Sequence, residues 1–394
     1  MQYPRAVLSV MVVVSLAQGA CRDTAEGATQ ASAKSDAVPV ASNDTKIDAG
    51  PAAPAGMVFV SAGTLKAGTP KNKVPRIADE EMPGTDESMN AFYIDALPYP
   101  NEPGAIPTSN VTRDEADQMC AAKGKRLCTE LEWERACKGD ANATYEYGDE
   151  YAQDKCQTGV SVDEAARRPS GDRIACKSSF GVREMHGGPW EWTSSAWGRG
   201  HKDDLGVLRG GNAVAGELVG RCANAIGRAP STKSPTMGFR CCKGDTNPAK
   251  VELTLASGRA LEPQLKPDGA RVGKAARNIP SVTLPDTGRF FITSSWTWRP
   301  VPNESLTLAS GCAAYENNIK PVGCALFAFR PDDSGDATKD VVLAGVPADV
   351  GIGEMVLAGD GRHVRVRGLL SQGGLYARDV TYVYGRVVIG DKKK

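Results

Sequence analysis

The sequence predicts an α+β protein: an irregular, loop-rich first part with two short helices, then an all-β, sandwich-like second part. Three observations carry that expectation. Thr112 with Glu115, and Thr129 with Glu132, form two capping boxes, each ahead of an apolar helical face. The stretches around them are rich in Gly, Asp, Asn, Tyr and Trp and lack a steady period. From about residue 250, short runs such as RFFITSSWTW, SLTLASG, CALFAFR, DVVLAGV, HVRVRGLL and TYVYGRVVIG alternate or run apolar, separated by Gly, Pro, Asn and Asp.

The chain of 394 residues is long enough for two domains with real cores. Lys plus Arg equals Asp plus Glu at 47 each, which argues against bulk attraction to nucleic acid. Three histidines, His186, His201 and His363, are far apart, so a multi-histidine metal site is not expected.

In chain order, residues 1–21 read as a signal peptide. Arg5 supplies the positive charge and AVLSVMVVVSLA the apolar region, too short for a bilayer core of roughly 30 Å. It ends AQGAC, which is similar to a bacterial lipobox with Gln18 where Leu is usual; Cys21 is then the lipidated residue. Plain secretion is the alternative. Arg22 stands where an inner-membrane retention aspartate is common, which favours the outer membrane. Ten of the eleven cysteines remain after Cys21, an even number suited to disulfides in an exported protein. Residues 22–55 are Ala-, Ser-, Thr-, Asp- and Pro-rich without an aromatic, and read as a disordered tether.

Order is expected from Met57. MVFVSAGTLKAG reads as strand and turn, and FYIDAL (92–97) as a strand. The two capped helices follow, with Gly124 as a stop for the first. Residues 138–180 read as loop. Residues 56–244 form one expected domain and 250–394 a β-rich second of no recognised family, in which Cys312 and Cys324 close a disulfide.

CAAKGKRLCTELEWERACKG, FGVREMHGGPWEWTSSAW, LRGGN and MGFRCC occur in that order. Together they make residues 56–244 resemble the sulfatase-modifying-factor domain of formylglycine-generating enzymes. The resemblance implies a loop-rich fold related to C-type lectins. It also implies the bridges Cys120–Cys241 and Cys137–Cys222, while the pairing of Cys128, Cys156, Cys176 and Cys242 stays open.

In those enzymes the loop after RGGS carries two cysteines that bind copper(I), a soft metal suited to thiolates. The aligned positions here are about Ala215 and Gly220, neither with a sulfur, so the resemblance argues against copper. The resemblance also makes calcium a candidate cofactor, because some members bind it near the matching WEW segment, and implies Glu184, Gly187 and Pro189 as ligands through one carboxylate and backbone carbonyls; the competing reading makes Glu184 a solvated surface acid. Glu130, Glu132 and Glu134 read as a favourable helix N-terminus rather than an acid–base set. Trp190, Trp192 and Trp197 read as core, and His186 as a hydrogen-bonded structural residue.

No catalytic residue is assigned. Any ligand site falls on the face built by 209–221 and 184–192, with Arg209, Asn212, Glu217 and Arg221 as polar members. The alternative for Arg209 and Arg240 is that they pin Gly-rich loops through backbone carbonyls. Three functions compete: a non-catalytic, lipid-anchored cell-envelope module that binds a protein or glycan; a formylglycine-generating oxidase with a variant site; and another exported oxidoreductase of the superfamily. The missing sulfurs favour the first.

Overall fold

The computed structural model describes residues 53–393 apart from 201–203, 212–215, 255–259, 286–287, 316–320, 349–351 and 370–373. The signal peptide, Cys21, most of the tether and Asn212 lie outside the described residues. The described chain is mostly β with few helices.

Both capping boxes form. Thr112 and Glu115 cap the helix Arg113–Ala121, and Thr129 and Glu132 cap Glu130–Lys138, with side chain and backbone satisfied reciprocally at each. The second helix ends at Gly139, whose φ of 68° suits glycine. Between 138 and 180, where loop was expected, two single turns occur, Gln153–Cys156 and Val162–Ala166.

Short strands frame these helices. One sheet runs in the order Met57–Val60, Phe92–Asp95, Cys241–Lys243 and Arg126–Leu127. A second runs Ala225–Arg228, Gly206–Arg209, Trp190–Ala196 and Met237–Phe239, the last pair parallel. Strand Gly63–Gly68 pairs with Pro83–Met89. Successive strand residues face opposite ways. Cys241 and Cys242 can therefore serve separate bridges, Cys120–Cys241 and Cys128–Cys242. Cys137–Cys222 and Cys156–Cys176 complete this half of the chain. Trp190 and Trp192 sit in the core with Leu208 and Phe239, while Trp197 is half-buried.

From residue 261 the pattern becomes regular. Leu261–Pro263, Arg289–Trp298, Leu306–Ala314, Gly323–Arg330 and Val341–Pro347 form an antiparallel meander in chain order. Ile352–Ala358, His363–Leu369, Leu375–Val383 and Arg386–Ile389 form another. Trp298, Leu308 and Leu326 from the first share one core with Val364, Val380 and Tyr382 from the second. Cys312 and Cys324 are register partners on adjacent strands and are bonded. The expectation of an all-β region needs one correction. Helix Gly269–Arg277, capped by Asp268, lays Val272, Ala275 and Ala276 against Phe327 and Phe329. Its two glycines weaken the helical signal in the sequence.

Segment 69–82 joins the early strands to the late ones. Ala78 is fully buried in the core shared by the two meanders. The Tyr382 hydroxyl donates to the carbonyl of Arg76 at 3.3 Å, and Arg330 Nη1 donates to that of Lys71 at 2.7 Å.

Candidate functional site

The second capped helix carries the charge centre of the first half. Glu130 and Glu132 do open the helix, with Glu132 in its capping box, and all three glutamates, Glu134 included, are buried. The Glu130 carboxylate takes both terminal nitrogens of Arg199, at 2.9 and 2.8 Å, and Nη2 of Arg209 at 2.8 Å. Glu132 takes Arg126 in a two-bond fork at 2.8 Å each. Glu134 accepts from Arg209 Nη2 at 3.0 Å, from the Gly68 amide at 2.6 Å and from Lys138 Nζ at 2.9 Å. Burial alone would raise the Glu134 carboxyl; Lys138 and Arg209 outweigh it and hold the group below the usual carboxylate range. Each of the three carboxylates is paired with arginine or lysine inside the fold.

The loop after Gly210–Gly211 is built onto this centre. Arg209 turns inward, and its Nη1 donates to the carbonyls of Cys222, Ala223 and Asn224 at 3.2, 3.1 and 3.4 Å. Arg221 is likewise buried. It forks onto Glu81 at 2.6 and 3.0 Å and donates to Thr69 Oγ1 and the Pro75 carbonyl. Both were expected as polar members of a ligand face, and both are instead consumed inside the fold. Glu217 does face solvent, and Arg386 Nη2 meets it at 3.0 Å. The two segments of the expected face do come together: the Gly187 amide donates to the Gly211 carbonyl at 3.2 Å.

The calcium reading does not fit. Glu184 is neither a free ligand nor a surface acid. Its carboxylate accepts from the amides of Gly171 and Arg173 at 2.8 and 3.0 Å and from Arg173 Nη2 at 3.0 Å. Arg173 Nη1 also lies 3.5 Å from the Gly187 carbonyl, so a guanidinium stands where the cation was expected. Pro189 is buried beside Gly238. Arg240 pairs with Glu191 at 2.6 and 2.8 Å and donates to the Asp95, Arg183 and Glu184 carbonyls, pinning the aromatic segment.

Copper(I) does not fit either. Cys222 is bonded to Cys137. Gly220 is buried and has no sulfur, and an ideal Cβ there would lie 2.9 Å from the Gly216 carbonyl oxygen, so a side chain would require that carbonyl to shift. Ala215 lies outside the described residues.

Sequence reasoning missed one donor cluster. Glu146 Oε1 lies 3.1 and 2.9 Å from the sulfurs of Cys156 and Cys176 and 3.2 Å from His186 Nδ1. The carboxylate and two sulfurs are close enough to hold a metal ion. The sulfurs are joined as a disulfide, so no thiolate is available to one. No signal in the sequence linked Glu146 to cysteines 10 and 30 residues away.

Beside the loop, Tyr145, Tyr151, Lys138, Thr69, Glu217 and Arg221 line a cleft of about 870 Å³. The aromatic wall is internally tied. Tyr145 stacks on Tyr147 at 5.5 Å, and the Tyr151 hydroxyl bonds Thr158 Oγ1 at 2.7 Å. Burial is the main cause that raises the Tyr145 hydroxyl to about 12, so it stays protonated at neutral pH.

The capped helix, the glycine-turned loop and the WEW strand carry the motifs by which the chain resembles the sulfatase-modifying-factor class. Residues 97–244 match the sulfatase-modifying factor enzyme 1-like domain, and the chain carries a domain of that family. Over 157 residues it is 28% identical to the cattle protein named inactive C-alpha-formylglycine-generating enzyme 2, covering 36% of this chain and 52% of that one. Over 99 residues it is 40% identical to hercynine oxygenase of Mycolicibacterium smegmatis, covering 24% and 22%. The chain thus spans about half the length of the cattle relative. Among solved structures, PvdO from Pseudomonas aeruginosa aligns with a TM-score of 0.40 and 21% identity, over 47% of this chain and 93% of that one. Among the described residues no helix is long and apolar enough to cross a membrane.

Proposed function

We propose that this is an exported, lipid-anchored cell-envelope protein whose formylglycine-generating-enzyme-like domain binds a partner without catalysing a reaction. In this reading residues 56–244 form a C-type-lectin-like module, residues 250–394 a β-rich one, and residues 22–55 tether both to a membrane through Cys21. The observation that carries the reading is the loop after Gly210–Gly211, which has no sulfur at Gly220 and whose cysteine, Cys222, is bonded to Cys137. Arg209 and Arg221 support it, because the loop's cations serve buried carboxylates and carbonyls. Five disulfides suit an oxidising compartment. The relative named as inactive accords with the same reading. The competing reading, an oxidase with a variant site or another exported oxidoreductase, is favoured by the near-complete scaffold motifs.

A conversion assay separates them. The purified full-length protein is incubated with copper(I), oxygen and a peptide carrying CxPxR, and the peptide is weighed by mass spectrometry. The expected outcome is an unchanged peptide beside a converting control enzyme. Loss of the thiol to an aldehyde would overturn the non-catalytic reading. For the anchor, Cys21→Ala is expected to abolish incorporation of labelled palmitate and release the protein from the membrane fraction; unchanged labelling would remove Cys21 from the proposal.

A further inference from the structure

A second cleft, of about 640 Å³, shares no lining residue with the one beside the family loop. It lies between segment 77–80, strand Ala225–Arg228 and the turns at 300–303, 360–362 and 384. Two of its polar side chains are incompletely matched. Asn224 is 1% exposed; its Nδ2 donates to Glu80 Oε2 at 3.2 Å, and its Oδ1 has no partner among the described residues. Asn303 contributes a buried Nδ2 that also has none. Buried polar atoms are ordinarily paired, so one unmatched acceptor and one unmatched donor on residues lining one cleft are candidate contacts for a polar ligand.

The surrounding charges narrow the ligand's chemistry. Arg362 meets Asp79 at 3.0 Å and Asp360 at 3.9 Å, and Arg199 is committed to Glu130. Glu80 forms no ion pair among the described residues. Its burial, next to Asp79 and Glu81, raises its carboxyl to about 7, so near neutrality it can either donate or accept. An ammonium ligand would satisfy the acceptors and leave Asn303 Nδ2 unmatched. A phosphate would satisfy the donor, but Arg199, Arg228 and Arg362 on the cleft are balanced by Asp79, Glu80 and Asp360, so no excess of cations singles out an anion. A hydroxyl both donates and accepts.

An aromatic platform completes the cleft. Trp197 is already covered, by the Arg199 guanidinium 4.3 Å from its ring and by Gly227, where a Cβ would come within 3.0 Å. Tyr384 is 58% exposed at the rim. Its backbone is held at φ 47°, and the following Gly385 presses so closely on Arg76 that a Cβ would fall 1.9 Å from the Arg76 carbonyl oxygen. The backbone that carries the ring is therefore fixed at the rim.

We propose that this cleft binds a neutral oligosaccharide, its hydroxyls bridging Asn224 Oδ1, Asn303 Nδ2 and Glu80, and one sugar face resting on Tyr384. The proposal rests on the binding-module reading and names its ligand class and site.

The test uses the purified full-length protein with N-acetylchitotetraose, cellotetraose and maltotetraose, by saturation-transfer NMR and calorimetry. At least one saccharide is expected to bind. Tyr384→Ala and Asn303→Leu, with unchanged circular dichroism, are expected to weaken it by about tenfold each. Ile174→Ser, at an exposed position outside the cleft, is expected to leave it unchanged. Binding that survives both cleft variants would overturn the site. Displacement of the saccharide by a CxPxR peptide would make the cleft a peptide groove and overturn the ligand class. No binding by any of the three would overturn the proposal; if the conversion assay is also negative, the non-catalytic reading stands without it. A positive conversion assay would instead fell that reading directly.

Discussion

Residues 57–243 and residues 261–389 keep their shape by different means. The first stretch has short, mostly interrupted strands, four disulfides and a buried helix whose three glutamates are each matched by arginine or lysine. The second has two antiparallel meanders, one disulfide, and a shared core of Leu, Val, Trp and Tyr. Regular strands satisfy their own backbone groups and bury alternate side chains. Loops do neither, so the first stretch satisfies its carbonyls with guanidinium groups and constrains its chain with sulfur. The difference teaches why arginines that look available for a ligand are structural here: an irregular backbone needs donors.

That contrast can be broken by mutation. The largest effect is expected at Arg209→Met, which leaves Glu130 and Glu134 short of a partner and three carbonyls without a donor. Breaking a buried ion pair from one side costs about 3–5 kcal/mol. Urea unfolding should show the loss, and a change under 1 kcal/mol would mean that the charge centre is dispensable. Next come the bridges. In the chain-entropy account, Cys137–Cys222 closes 85 residues and contributes roughly 4–5 kcal/mol, whereas Cys312–Cys324 closes 12 and contributes about 3. Paired Ser variants, Cys137→Ser with Cys222→Ser and Cys312→Ser with Cys324→Ser, should rank in that order by thermal melting; the reverse order would show that the meander depends on its bridge more than its packing suggests.

A smaller effect follows from Glu80. Its carboxyl is raised from 4.5 to about 7 in the fold, first by burial and then by Asp79 and Glu81, against Asn224 and Arg199. The folded state therefore holds the proton more tightly than the unfolded chain. This contribution is complete below about pH 4.5 and is lost as pH rises through about 7. Glu80→Gln should match the native protein's stability near pH 4.5 and exceed it at pH 8, by about 1–3 kcal/mol after allowance for partial exposure. Equal stability of the two proteins at pH 8 would refute the raised value. The smallest effect is expected at Arg386→Ala. Its pair with Glu217 is half exposed on both sides, and such pairs contribute about 0–1 kcal/mol.

Legibility in the sequence followed the range of the interaction. Thr112-x-x-Glu115 and Thr129-x-x-Glu132 are complete within four residues, so both helix starts could be read directly. Alternation in HVRVRGLL and its neighbours disclosed short strands, though TYVYGRVVIG, read as one run, is split by a turn between Leu375–Val383 and Arg386–Ile389. The fate of Glu130 could not be read, because its partners Arg199 and Arg209 lie 69 and 79 residues away. Glu184 was misread for the same reason: Arg173 precedes it by 11 residues on no regular element. Helix Gly269–Arg277 was hidden by its glycines and by the small size of its buried alanines. Glu80, Asn224, Asn303 and Tyr384 come from four separated segments, and only folding places them on one cleft.

Segment 69–82 fixes where this gene can be divided. Arg76 and Ala78 belong to the early chain but are buried among late strands: Arg76 faces Glu304 at 4.0 Å, and Glu304 is held in turn by Arg330 at 2.7 and 2.6 Å. A shortened product ending near residue 250 would carry an unneutralised guanidinium and a bare apolar spot into water. Recombination at that point, the natural seam by composition, would exchange one half without its counter-charge. Glu304 serves a cation from each half, so its loss strands both Arg76 and Arg330, whereas loss of Arg76 leaves the Arg330 pair in place.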